Sequence, residues 1–242
     1  VAERDILSVM VNEEDHLRLQ GIDSGLCLRE LHRQVDALDE DLGRELPFAF
    51  HERWGFATSC PTNAGTGLRA SALVHLPGLA LSGQISRVLE ALLRLGILAR
   101  GLYGEGTTVM GDFYQISNAT SLGSSEAQIV ENVSRVVEGL IEKELEARQS
   151  LVAGARRTRL DDLVHRSFGV LERARLISFE ESMQHLSMVR LGLSLNWQLP
   201  ADMKTVNELL VLAQPAHIQM LHGSPLEPAD RDFLRATLFR SK

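Results

Sequence analysis

Near residue 155 the pattern of the chain changes, and that change restricts the fold more than any other feature. Upstream, short runs of Ile, Val, Met and Leu alternate with Gly-rich turns and amphipathic stretches. Downstream, strand signals disappear and helix starts follow one another. Ser178-x-x-Glu181 and Thr205-x-x-Glu208 have the form of capping boxes, Pro228 suits a first helical turn, and residues 161–176 carry helical spacing. Residues 1–150 therefore read as a unit mixing strands and helices, and residues 151–242 as a small all-helical domain.

Within the first unit, residues 5–12 read as a buried strand that ends where an acidic run begins. Leu28, Leu31, Val35, Leu38 and Leu42 recur at helical spacing, which predicts an amphipathic helix over 25–42, ended by Pro47 and the Trp54-Gly55 turn. Residues 55–60 and 68–76 suit two strands joined, hairpin-like, by Asn63-Ala64-Gly65-Thr66-Gly67. A helix capped by Ser82 follows, with Ile85, Val88, Leu89, Leu92 and Leu93 inward. Short strands near 96–101 and 108–116 flank a Gly-rich loop, and Ser125-x-x-Gln128 opens a long helix carried by Ile129, Val133, Val136, Leu140 and Leu145. Val1 leads almost at once into Ile6-Leu7-Ser8-Val9-Met10-Val11, which has the composition of an interior strand. A portion N-terminal to this sequence is therefore expected.

Composition narrows the function classes. A length of 242 residues is enough for a sizeable core, and no apolar run approaches the length of a membrane span. The net charge of −7, with no dense Lys/Arg stripe, argues against a nucleic-acid partner. The cluster Arg156-Arg157-Thr158-Arg159 suits a domain connector or a helix start. Cys27 and Cys60 have no paired spacing, and no signal peptide is visible, so a reducing cytoplasm is expected. His16, His75 and the other histidines lack metal-ligand spacing.

The chemistry concentrates in three blocks: Asn12-Glu13-Glu14-Asp15-His16-Leu17-Arg18, Cys60-Pro61-Thr62-Asn63 running on to Arg69-Ala70-Ser71, and Arg100-Gly101-Leu102-Tyr103-Gly104-Glu105. At a strand end alternate residues face opposite ways, so Glu13 and Asp15 share one face and Glu14 points to the other. Two carboxylates on one side suit a hydrated Mg²⁺, which keeps waters and takes few direct protein ligands. The Gly65–Gly67 loop is not a Walker A motif, since no Gly-Lys-Ser/Thr follows it.

Together the blocks resemble the signature set of the guanidino phosphotransferases, the family of creatine and arginine kinases. The resemblance implies an α+β fold, mainly antiparallel sheet flanked by helices, with ATP and Mg²⁺ as cofactors. A guanidinium is protonated at physiological pH and is a poor nucleophile, so its phosphorylation requires a base and in-line aim. By resemblance Glu14 and Glu105 are the carboxylate pair, with Glu14 the base and Cys60 an accessory residue that positions the guanidinium. Arg18, Arg69 and Arg100 match the phosphate-binding arginines, and Glu13 and Asp15 hold Mg²⁺ through water. Segments Arg69-Ala70-Ser71-Ala72-Leu73 and Arg100-Gly101-Leu102-Tyr103-Gly104-Glu105 are then two pieces of the ATP site. Leu73 departs from the His that small-molecule kinases commonly have there.

Arg100–Gly106, Gln115-Ile116-Ser117-Asn118 and the helical tail move the resemblance toward the bacterial protein-arginine kinases. The tail holds Arg231-Asp232-Phe233-Leu234-Arg235-Ala236, similar to the motif by which those kinases bind phosphoarginine allosterically. On a helix Arg231 and Arg235 are i, i+4 neighbours whose guanidinium groups can converge on one phosphate. A plain salt-bridged helix with Phe233, Leu234 and Leu238 inward is the competing account.

The resemblance implies arginine-bearing protein substrates, a Clp-type protease and a heat-shock repressor as partners, with an activator protein and a homodimer also raised by it. The family also contributes an N-terminal Ser-x-Arg-x-Arg-type segment to the phosphate clamp. Without those arginines several charge-assisted bonds of about 1.5–3 kcal/mol each are lost, so this chain alone is expected to be a weak ATP binder. Two other functions remain open: a non-catalytic phosphoarginine-binding regulatory module, and a kinase of a free guanidino metabolite, against which the tail speaks.

Overall fold

A computed structural model describes residues 6–101 and 109–242. They divide into two compact units, one of Val1–Val74, Arg87–Arg100 and Gln115–Ile141, the other of His75–Ser86, Gly101–Tyr114 and Glu142–Lys242.

In the first unit, β1 (Leu7–Val11) and β2 (Leu17–Gly21) pair antiparallel, from Leu7 opposite Gly21 to Val11 opposite Leu17. The expected buried strand is thus half of a hairpin with Val9 and Val11 exposed. Helix α1 (Leu28–Glu45) lays Leu31 and Val35 over Gly21, where an added Cβ would sit 3.0 Å from Val35 Cγ2. Two short strands, β3 (Phe50–His51) and β4 (Gly55–Phe56), pair antiparallel and lead to a 3₁₀ turn at Pro61–Asn63.

β5 (Ser71–His75), β6 (Ile97–Gly101) and β7 (Phe113–Asn118) form a three-stranded sheet in the order β5-β7-β6. This corrects the expected hairpin of 55–60 with 68–76. Phe56 instead bridges to Gly65 inside the loop, and β5 takes β7 as its neighbour. Strand β7 begins later than expected because Gly111 and Asp112 both have positive φ and turn the chain just before it. Between these strands lie α2 (Pro77–Leu81), which Ser82 terminates rather than starts, and α3 (Ile85–Arg94), which buries Leu92 and exposes Leu93.

Helix α4 (Glu126–Leu151) starts with the expected box: the Ser125 N–H donates to Gln128 Oε1 (2.9 Å) and the Gln128 N–H to Ser125 Oγ (3.3 Å). Its buried stripe is Ile129, Val133, Val137 and Leu140, then Glu144 in place of the expected Leu145, which is 50% exposed. The second unit continues with α5 (Ala155–Arg173), α6 (Phe179–Ser194), α7 (Met203–Leu212), α8 (Pro215–His222) and α9 (Pro228–Arg240). Ser178 caps α6 by accepting from the Glu181 N–H, as expected. Asp202, not Thr205, caps α7, and α8 was not foreseen. The core of this unit gathers Leu171, Ile177, Leu186, Val189, Val206, Leu209, Ala236 and Phe239. No helix among the described residues is long and apolar enough to cross a membrane.

Candidate active site

The acidic block is the turn of the β1–β2 hairpin. Asn12, with φ +55°, bends the chain, and its N–H donates to the His16 carbonyl at 2.9 Å. A turn has no strand alternation, so the shared face expected for Glu13 and Asp15 is replaced by three separate placements. Glu13 lies 3.6 Å from Arg18, both half exposed, a loose pair that adds little stability. Glu14 is exposed. Asp15 Oδ1 accepts from the Ser59 N–H at 2.6 Å, and Oδ2 from Asn63 Nδ2 at 3.3 Å.

Those contacts bring the first two sequence blocks together. The Ser59 backbone bond, with help from Asn63, holds the Asp15 carboxyl below its ordinary range, so it is ionised at neutral pH. Between Ser59 and Asn63 stands Cys60, half-buried, its Sγ 2.9 Å from Thr62 Oγ1. The Thr58 hydroxyl donates to the Cys60 carbonyl at 2.7 Å, and Ser121 Oγ donates to the Ala64 carbonyl at 2.9 Å. The segment is therefore pinned on both sides of the cysteine.

The second piece is built on β5 and β7, and here Gln115-Ile116-Ser117-Asn118 acquires physical roles. Asn118 accepts from the Ala70 N–H at 2.9 Å and donates to the Leu68 carbonyl at 3.1 Å, a two-point clamp on the backbone around Arg69. Arg69 Nη2 donates to Ser117 Oγ at 3.4 Å, and Gln115 Nε2 to Ser71 Oγ at 3.3 Å. Arg69 and Leu73 are exposed, Ser71 and Ala72 half-buried. Arg100 is half-buried at the end of β6, followed by buried Gly101. Leu102, Tyr103, Gly104 and Glu105 lie outside the described residues. Ser59, Asn63 and Asn118 were not among the expected site residues. For Asn118 the signal is present in the Gln115-Ile116-Ser117-Asn118 motif.

The tail motif is placed differently from expectation. Arg235 is 1% exposed, and its guanidinium donates to the Ala213 carbonyl (2.7 Å), the Ile177 carbonyl (2.9 Å) and Asp232 (2.6 Å). Arg231 donates instead to the Leu226 carbonyl at 2.7 Å. The expected convergence of the two guanidinium groups is corrected on this point: one closes α9 onto helix ends, the other onto the α8–α9 loop. Ala236 is buried beside Arg235, while Phe233, inward in the competing account of a plain salt-bridged helix, is 52% exposed.

Two family profiles match the chain. Residues 1–147 match the profile described as ATP:guanido phosphotransferase, C-terminal catalytic domain, and residues 157–242 that of the protein-arginine kinase McsB C-terminal domain. The whole chain is 47% identical to a protein-arginine kinase of Symbiobacterium thermophilum and 43% to one of Bacillus cereus, spanning 68% of each. Among solved structures, lombricine kinase matches 59% of the chain with a TM-score of 0.51 at 33% identity, the match spanning 40% of that chain. A Schistosoma mansoni duplicated taurocyamine kinase with transition-state analogue components matches 72% with a TM-score of 0.54 at 30% identity, spanning 26% of its length. With the acidic hairpin, the pinned cysteine and the clamped Arg69 strand in one unit and a matched helical tail following in sequence, the chain belongs to the protein-arginine kinases of the ATP:guanido phosphotransferase family, a family of phosphoryl-transferring enzymes.

Proposed function

We propose that this chain carries the catalytic and phosphoarginine-recognising parts of an ATP-dependent kinase of arginine side chains in proteins. The observation that carries the reading is the tie from Asp15 to Ser59 and Asn63, which sets the acidic turn against the Cys60 segment.

In this reading Glu14, exposed on the turn, takes a proton from the substrate guanidinium and fixes its plane by accepting N–H bonds. A guanidino nitrogen then forms a bond to the γ-phosphorus of ATP as the bond from phosphorus to the β-phosphate bridging oxygen breaks, and ADP leaves with that electron pair. Glu105 is the second carboxylate of the pair. Cys60 helps position the guanidinium. Arg18, Arg69 and Arg100 offset the phosphate charge, because phosphoryl transfer requires positioning and electrostatic stabilisation more than covalent help.

In this reading Mg²⁺ is held at the acidic turn only through its waters, since Glu13 and Asp15 are placed separately there. A carboxylate has about four acceptor sites, so the two protein bonds to Asp15 leave room for metal-bound water, and Glu13 is half exposed. When bound, the cation would neutralise phosphate charge. Arg231 and Asp232, both half-buried rather than enclosed, are the part of the tail motif that meets phosphoarginine, and Arg235 holds their helix in place. Delivery of marked proteins to a Clp-type protease, silencing of a heat-shock repressor, control by an activator protein, homodimer formation and a cytoplasmic setting complete the proposal.

The test is direct. The chain, alone and joined to the part of the Symbiobacterium relative outside the match, is incubated with ATP, Mg²⁺ and an arginine-rich protein. Acid-labile phosphate on arginine, read by mass spectrometry and absent in Glu14→Ala, is the expected result. No phosphoarginine from either form sinks the kinase reading and leaves phosphoarginine binding as the function. Phosphorylation of free arginine but not of protein would point to a metabolite substrate.

A further inference from the structure

The second compact unit buries a polar network that phosphoryl transfer does not use. His75, the last residue of β5, is 9% exposed. Its Nε2 lies 2.8 Å from Ser187 Oγ on α6, and its Nδ1 lies 2.8 Å from Arg190 Nη1 on the same helix. The ring stacks on Phe113, the first residue of β7, with centroids 4.5 Å apart, and Arg190 also lies over that ring at 5.6 Å. Ser187 Oγ donates to Asp112 Oδ2 at 3.3 Å, and Arg190 Nε donates to Asn207 Oδ1 at 3.1 Å.

These bonds fix every proton. A guanidinium can only donate, so Nδ1 is the acceptor and Nε2 carries the hydrogen. Nε2–H then donates to Ser187, whose own proton goes to Asp112. The chain of donors runs in one sense from Arg190 through His75 and Ser187 to Asp112, and each position needs its present chemistry. Arg148 joins the frame by donating to the His75 carbonyl at 3.3 Å, held in turn by Glu144 at 2.6 Å. Glu144 also accepts from the backbone N–H groups of Gly78 (2.8 Å) and Leu79 (2.9 Å), just beyond β5.

A network of this kind, buried at His75 and Ser187, favours one geometry where an apolar contact would tolerate several. The geometry specified here is that of β5. Alternate strand residues share a face, so His75 points to the same side as Leu73 and Ser71, both assigned to the nucleotide. We infer that His75 is a positioning residue: through Ser187 and Arg190, helix α6 of the tail fixes the end of β5 and thereby sets the nucleotide affinity of the kinase. The inference rests on reading Ser71–Leu73 as part of the ATP site.

The experiment separates the two ideas. In the full chain, amide hydrogen exchange of a peptide covering β5 is compared between wild type, Ser187→Ala and Arg190→Met, with the β1–β2 hairpin as internal control. At least tenfold faster exchange in β5 with an unchanged control is expected, and unchanged β5 exchange in both variants overturns the inference. Binding of MgADP is then measured by calorimetry, with an expected affinity loss of about tenfold in Ser187→Ala, equivalent to one lost hydrogen bond. In the kinase assay the same variant should raise the ATP KM with little change in kcat, a split that general unfolding would not give. His75→Gln, which keeps one donor and one acceptor, should retain much of the affinity that His75→Leu loses. Faster β5 exchange with unaltered affinity would overturn the link to nucleotide. If the wild-type chain binds no nucleotide even when joined to the part of the Symbiobacterium relative outside the match, the assignment of the ATP site is overturned instead, and the exchange result alone decides the role of α6.

Discussion

The Ser59 N–H donates a 2.6 Å hydrogen bond to Asp15 Oδ1 across 44 residues of sequence. A bond to an ionised acceptor is among the stronger ones a protein makes, and it joins the turn of one hairpin to the segment that carries Cys60. Neither segment has regular structure of its own at that point, so the contact fixes both.

Asp15→Ala removes this bond and that from Asn63. A loss of about 1 kcal/mol is expected at pH 7, at the modest end because the site is partly solvated. The folded-state pKa lies below the ordinary aspartate value, so this stabilisation is present above about pH 4 and fades as pH falls through the folded value. Urea unfolding of both proteins at neutral and acid pH checks it. A difference that stays constant at acid pH would rule out a role for the charge.

Arg235→Ala should cost about 3 kcal/mol, since it leaves buried carbonyls and the Asp232 carboxylate without their donor. Arg231→Ala, which gives up one bond to the Leu226 carbonyl, should cost about 1 kcal/mol. It should nevertheless weaken phosphoarginine binding more per unit of lost stability. Thermal unfolding with and without phosphoarginine distinguishes the two residues; equal loss of stability would contradict their assigned roles.

His75 is held neutral, its pKa pushed well below the usual value first by burial and then by Arg190 and Arg148. Because the unfolded chain takes up the proton first, the stability His75 confers is complete above about pH 6.5 and declines as pH falls toward the folded value. Relative to His75→Gln, the wild type should lose up to about 1.4 kcal/mol per pH unit across that window. Asp112, Glu144, Arg148 and Arg190 surround the ring in both proteins, so parallel pH–stability curves would contradict the buried neutral histidine.

Gly55 has φ +76°, and a Cβ there would stand 2.1 Å from the Gly65 carbonyl oxygen, the acceptor of the Phe56 N–H at 2.8 Å. Gly55→Ala must push the Gly65 segment away, at a cost of about 2 kcal/mol or more. Phosphorylation should fall at least about tenfold, a barrier rise near 1.4 kcal/mol. Gly83→Ala is the control, with φ +71° but nothing within 4 Å of the added atom. If both variants keep full activity, the bridge from Phe56 to Gly65 does not support the site.

How much of this was legible beforehand differs by element. The α4 capping box and the Ser178 cap of α6 are local devices, and each formed where the sequence put it. The exchange of Leu145 for Glu144 as the buried residue was not legible, because the phase of a helix near its end depends on what packs there. Here the N–H groups of Gly78 and Leu79 and the Arg148 guanidinium await an acceptor. Arg235 misled for a similar reason. An arginine beside an aspartate on a helix looks like surface or ligand chemistry, yet the carbonyl ending α7 and the one before α6 required a donor.

The sequence by itself determined the chemical identity of the site: the carboxylates of residues 13–15, the cysteine segment, the arginines, and a helical tail behind a sheet-bearing unit. Side-chain chemistry and short-range spacing are written in the chain, so no fold is needed to see them. Only the tertiary structure decided that the acidic run is a turn tied to Ser59, that β5 lies beside β7, and that His75 is gripped by α6. Those are contacts between residues distant in sequence, and whether each forms depends on which buried donors and acceptors the whole fold leaves to be satisfied.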